Sequence, residues 1–145
     1  MRKFQVLFLL VSILSSSFAF SKPDPIKYRK SVYQIMGWHF GIMAAMAKGK
    51  KGYDRDVFMR SAAILRFVSN LPLEGFPVGS EKGNTKAKPE IWLDMKDFEE
   101  KMLQMQQEVS VLEEIANIGD LRKAKKQIGK VGRSCKSCHD KYKTK

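Results

Sequence analysis

LRKAKKQIGKVGRSCKSCHDKY, residues 121–142, is the stretch whose reading decides the fold. Leu121, Ala124, Ile128, Val131, Cys135, Cys138 and Tyr142 recur in steps of three and four, which lays them along one face of a single helix. Lysines and arginines fill most other positions, so this helix is amphipathic and needs partners for its apolar face. Just before it, Gly119-Asp120 sets a helix stop against a helix start and predicts a tight antiparallel hairpin with the helix upstream. That upstream helix opens after Pro89 and carries Ile91, Met95, Phe98, Met102, Met105, Val109 and Leu112 on the spacing of a bundle seam.

Two more helices precede it. Asp24-Pro25 is an N-cap acid followed by proline at the first helical position. Two adjacent stripes follow, Tyr28, Val32, Ile35, His39, Ile42, Met46 and Tyr33, Met36, Phe40, Met43, and together they predict a wide buried face. Lys51-Gly52 breaks this helix, and Asp54 caps a second one bearing Val57, Phe58, Ala62, Leu65, Val68 and Leu71. The segment PLEGFPVGSEKGNTKAKP over 72–89 keeps no period and reads as a long surface connection that covers something or is functional. With no β-type alternation elsewhere, the fold class is all-α, an antiparallel four-helix bundle.

Composition sets outer bounds. A chain of 145 residues with 43% hydrophobic and 29% charged residues has material for one core, which excludes multi-domain enzymes and disordered chains. Arg2 and Lys3 precede an apolar run over 4–14 and then Ser17-Phe18-Ala19, the pattern of a secretory leader cleaved after Ala19. The run falls short of the roughly 20 apolar residues that cross a bilayer, although an uncleaved anchor is the alternative. Residues 1–19 are therefore read as a signal peptide and 20–145 as the bundle, in a bacterial periplasm, with no membrane insertion after cleavage. Cleavage removes Arg2 and Lys3 and no acid from 27 basic and 15 acidic residues, leaving a formal charge of +10. The lysines are spread without a nucleic-acid motif, so an acidic protein is the expected partner and nucleic acid is not.

The two cysteines need their own explanation. Cys135-Lys136-Ser137-Cys138-His139 is a C-x-x-C-H motif, the haem c attachment pattern. Two thiols three residues apart on one helix face can each add to a porphyrin vinyl group, while the adjacent imidazole reaches the iron as proximal ligand. One covalently attached haem c per chain follows, with Cys135 and Cys138 binding it and His139 on the metal. Three other readings compete. A redox dithiol normally sits at a helix N-terminus, a disulfide on a regular helix is strained, and zinc needs a fourth ligand with only His39 on offer. Gly129 and Gly132, ahead of the first thiol, read equally as clearance or close packing and as glycines merely tolerated.

With these residues in place the chain resembles the cytochrome c′ family. The resemblance runs through Tyr28-Arg29, Met36 and His39-Phe40-Gly41 in the first helix, then Lys48-Gly49 and Tyr53-Asp54 at the turn. It continues in Pro89-Glu90-Ile91-Trp92 and in Val131-Gly132 ahead of the motif. It implies haem c in the bundle interior, a homodimer packed through the first two helices, and a five-coordinate iron whose sixth side is closed by Tyr33. Periodicity alone reads Tyr33 equally as an ordinary core aromatic. A related branch, cytochrome c556, ligates iron through a methionine of the first helix, and Met36 is the candidate. Arg29 is placed by the resemblance at a haem propionate, with an exposed helix arginine as the other reading. Where many members have an arginine four residues beyond the haem histidine, this chain has Lys143, which keeps the charge and loses the forked donor geometry.

A five-coordinate haem in an apolar pocket exchanges one electron and binds nitric oxide or carbon monoxide, whereas a methionine-closed iron does only the first. The expected function is electron transfer and diatomic gas binding in the periplasm, with an unidentified, acidic redox protein as partner. The alternatives are a cytochrome c556-like carrier and a haem-free helical binding protein. No triad, paired catalytic carboxylates or nucleotide loop is recognisable, so no enzyme is proposed.

Overall fold

A computed structural model describes residues 23–145; the expected signal peptide, 1–19, lies outside the described residues. Four long helices form the bundle: α1 Pro25–Ala47, α2 Arg55–Val68, α4 Met95–Ile118 and α5 Leu121–Tyr142. A 3-10 turn at Pro72–Gly75 and a short helix, α3 Glu90–Leu93, lie in the connection between α2 and α4. Contacts run from α1 to α2, α2 to α4, α4 to α5 and α5 back to α1, closing the ring. Among the described residues no helix is long and apolar enough to cross a membrane.

The helix ends are set by local chemistry. The Asp24 carboxylate accepts from the Ile26 and Lys27 amides, Asp54 from Val57, and Asp120 from Lys123. Gly119 takes the left-handed conformation, φ +82°, that a tight reversal demands and that a side chain resists. The α4–α5 hairpin follows from that single position.

Two expectations are corrected. The third helix does not run unbroken from Pro89, because Asp94 leaves helical geometry at φ −137°, ψ 58° and caps α4 by accepting from the Asp97 amide at 3.3 Å. A short acidic side chain that bonds the backbone ahead of it competes with helix continuation. Nor is the whole double stripe of α1 buried. Val32, Met36, Met43 and Met46 are core residues, but Ile35 is 45% exposed and stands outward with Trp38 at 70%. A helix in a ring of four turns one side to water, and two full stripes exceed the face it can bury.

The core closes at the end holding the α1–α2 turn and the α4–α5 hairpin. Met43, Phe58 and Leu112 are fully buried there. Buried Gln127 of α5 donates to the Glu108 carbonyl of α4 at 2.8 Å and to its carboxylate, satisfying both chains of the hairpin.

The connection over 72–89 does not simply run across the surface. Arg29 of α1 is 2% exposed and holds it from inside the protein. Its guanidinium donates to the Gly75 carbonyl at 2.7 Å, the Ser80 hydroxyl at 3.0 Å, the Ser80 carbonyl at 2.8 Å and the Thr85 hydroxyl at 3.0 Å. The same group lies 4.7 Å from the Phe76 ring centre, a cation–π contact. At Gly75 the loop approaches α1 so closely that an added Cβ would stand 2.5 Å from the Arg29 Cβ. Further along, Ala87 and Lys143 form an isolated antiparallel bridge that ties the loop to the end of α5.

Candidate functional site

The opposite end of the bundle holds a cavity of about 680 Å³, within the roughly 300–1,000 Å³ of small-molecule and cofactor pockets. Tyr33, Met36, Gly37 and Phe40 of α1 line one wall. Met102, Met105 and Val109 of α4 line a second, and Val131, Gly132, Cys135, Cys138 and His139 of α5 a third. The loop supplies Phe76 and residues 84–87. The charged side chains on its border are Arg29, Lys30, Lys86, Lys101 and Lys143, all cationic, which suits a ligand with an apolar body and anionic groups.

The α5 stripe explains how the three motif residues reach this cavity. Ala124 and Ile128 are buried against protein, while Cys135 and Cys138, two and three turns further on, stay partly accessible and face the void. An aromatic ladder fixes this end of α5: Phe76 packs on Phe98 at 4.8 Å, and Phe98 on Tyr142 at 5.3 Å, both edge-to-face. The Tyr142 hydroxyl donates to the Asp97 carboxylate at 2.5 Å, and Lys141 reaches the same group at 2.8 Å.

Both thiols are free. Burial pushes the Cys138 thiol up to about 11 and raises Cys135 as well. These are protonated thiols far from any helix N-terminus, the opposite of a redox dithiol poised by a lowered pKa. Burial, and then the Lys143 charge, lowers the His139 pKa and favours the neutral imidazole that ligates a metal. His39 does not line the cavity. Its Nδ1 is paired with the Ser61 hydroxyl of α2 at 3.3 Å, so the zinc reading finds no fourth ligand there. Free thiols, neutral imidazole, apolar walls and a cationic rim fit a covalently attached porphyrin.

The remaining candidates fall as follows. Tyr33 and Met36 both border the cavity, one turn apart. Arg29 borders it too, but it is not the exposed arginine of the second reading, and both terminal nitrogens are engaged by the loop. Lys143 is exposed at the end of α5 and lines the mouth. A Cβ at Gly132 would meet only the Phe40 ring at an ordinary 3.7 Å, and one at Gly129 only the far end of the Arg133 side chain at 3.5 Å, so neither glycine serves close helix packing. Lys30, Lys86 and Lys101 at the rim were not singled out in the sequence, where nothing distinguishes them from other solvated lysines.

A family profile described as cytochrome c′ matches residues 24–143. The cytochrome c′ of Alcaligenes xylosoxydans xylosoxydans is 40% identical over 127 residues, covering 87% of this chain and 98% of that protein. Among solved structures, cytochrome c prime from Shewanella frigidimarina superposes with a TM-score of 0.82 at 40% identity, covering 87% of this chain and 99% of that one. A nitric oxide complex of a variant of the Alcaligenes xylosoxidans protein superposes with a TM-score of 0.80 at 40% identity, covering 87% and 98%. Fold, thiol-lined cavity and these relatives agree: the chain belongs to the cytochrome c′ family and its cofactor is covalently attached haem c.

Proposed function

We propose that this protein is a periplasmic electron-transfer and gas-binding haem c protein that takes nitric oxide or carbon monoxide on the side of the cavity bordered by Tyr33. The observation that carries the reading is the pairing, in one cavity, of the Cys135, Cys138 and His139 wall with an α1 wall that carries the Tyr33 phenol among Met36, Gly37 and Phe40. When bound, the haem iron supplies one-electron chemistry and a position for a diatomic ligand. Cys135 and Cys138 hold the group covalently, and His139 presents its neutral ring nitrogen to the metal. Tyr33, Met102 and Phe40 keep water out and crowd the opposite side, so a ligand enters only when the phenol yields. The rim lysines Lys86 and Lys143, whose ammonium groups have no partner among the described residues, rather than the loop-bound terminal nitrogens of Arg29, are the groups available to carboxylates at the mouth; Lys30 and Lys101 are already held by the Asn84 carbonyl and the Asp97 carboxylate.

The surroundings support the remaining parts of the reading. Leader and compartment rest on the basic and apolar N-terminal pattern. Trp38 at 70% and Phe67 at 70% exposure give α1 and α2 an apolar outer side suited to a homodimer contact. The outer face of α5 carries Arg122, Lys125, Lys126, Lys130 and Arg133 with no ion-pair partner among the described residues, a surface complementary to an acidic redox protein.

Met36 lines the same cavity, and this observation supports the second reading, a methionine-ligated electron carrier. Spectra of the reduced holoprotein with and without nitric oxide and carbon monoxide separate the two. A five-coordinate spectrum that shifts with both gases is expected. A six-coordinate low-spin spectrum unmoved by carbon monoxide overturns gas binding in favour of Met36, and a colourless protein lacking the haem mass overturns both.

A further inference from the structure

Polar side chains buried along the cavity are, with one exception, already well paired. Ser134 donates to the Val131 carbonyl at 2.8 Å, and Arg29 to the loop. The exception is the Tyr33 hydroxyl. Among the described residues its one partner is the Met102 sulfur at 3.8 Å, and a thioether is a weak acceptor. Its apolar neighbours on the cavity wall, Met36, Phe40, Met102 and Met105, offer no oxygen or nitrogen acceptor from a side chain, and the exposed Gln34 beside it makes no hydrogen bond to it. Burial raises the Tyr33 pKa well above the ordinary phenol value, so the oxygen keeps its proton and acts as a donor. A good donor facing an apolar space without a good acceptor is costly to maintain, and such groups commonly mark where a ligand accepts.

We infer that the Tyr33 hydroxyl is a specificity-determining donor for the ligand held on the iron, favouring ligands that carry negative charge on the atom facing it over nearly apolar carbon monoxide. The inference rests on the proposed gas-binding reading and adds a second property to Tyr33. Crowding penalises every ligand alike, whereas donation rewards only those that accept. In a water-poor cavity one hydrogen bond to an anion is stronger than the same bond in solvent.

Fluoride on the ferric holoprotein is the accepting probe and carbon monoxide on the ferrous holoprotein is the control. Tyr33→Phe keeps the ring and removes one oxygen, so crowding is retained and donation is lost. Fluoride affinity is expected to fall roughly tenfold, the worth of one hydrogen bond to an anion, while carbon monoxide affinity stays within about twofold and its C–O stretch rises. Met102→Leu removes the competing sulfur and leaves the donor, so it should bind fluoride at least as tightly as the wild type. Equal affinities for fluoride in wild type and Tyr33→Phe overturn the inference while leaving the gas site intact. A parallel change in both ligands overturns it as well, because loss of a donor should separate an accepting anion from carbon monoxide. A wild type that binds neither probe overturns the gas-binding reading itself, and the inference with it.

Discussion

The two ends of the bundle use the same helices differently. At the hairpin end, Met43, Phe58 and Leu112 are fully buried and none of them borders the cavity. At the other end the same seam spacing continues, yet the side chains of α5 draw back to line a cavity of about 680 Å³. One end is a finished core and the other is a core with a place kept for a cofactor. The difference teaches that an apolar stripe states that a face is dry, but not what dries it.

The sharpest way to break this comparison is to remove the cofactor's attachment. In a Cys135→Ala/Cys138→Ala variant, mass spectrometry should find no covalent haem mass. Hydrogen exchange should then accelerate over 131–142 while the amides near Leu112 and Ala116 stay protected; uniform loss of protection would show that the ends are not independent. Next in size is the clamp. Arg29→Ala leaves the Gly75 and Ser80 carbonyls buried without their donor, and denaturant unfolding of the holoprotein should lose about 4 kcal/mol. A loss under about 1 kcal/mol would mean that the loop holds itself. At the closed end, Leu112→Ala opens a hole among fully buried neighbours and should cost about 3 kcal/mol with no change in the haem spectrum.

The smallest expected effect concerns the surface latch on α5. Hydrogen bonds from Lys141 and Tyr142 hold the Asp97 carboxyl below the usual aspartate range, with Lys101 adding to the effect. The folded state therefore binds that proton later than the unfolded chain on acidification. The contribution is present above the ordinary aspartate pKa of about 3.9 and is lost as pH falls through the lower folded value. Asp97→Asn should flatten that acid limb of the stability profile by lowering stability slightly at neutral pH, where the contribution is fully present, and leaving the most acidic points nearly unchanged, as measured by unfolding at stepped pH.

Legibility in the sequence followed the range of the interactions. The starts at Asp24, Asp54 and Asp120 and the reversal at Gly119 were readable because each cap bonds a neighbour within three residues. The break at Asp94 carried a similar signal, an aspartate three residues before the amide it caps, but the apolar period running through it masked the cap. C-x-x-C-H announced its cofactor because covalent attachment fixes both residue type and spacing. The clamp at Arg29 was not readable, since its partners lie 46 to 56 residues away in a segment without period. Outward-facing Ile35 was missed for a related reason: a stripe cannot say how many neighbours a helix will have.

Gly75 stands so near the Arg29 backbone that any larger residue would collide with it, while Arg29 needs that proximity to reach the Gly75 carbonyl. The collision is with the Cβ and backbone of position 29, which every residue but glycine keeps, so replacing the arginine would not make room at position 75. The glycine is fixed by how closely the loop crosses the helix, and the arginine is the partner that uses that closeness, so a lineage could lose the guanidinium and still be bound to keep the glycine.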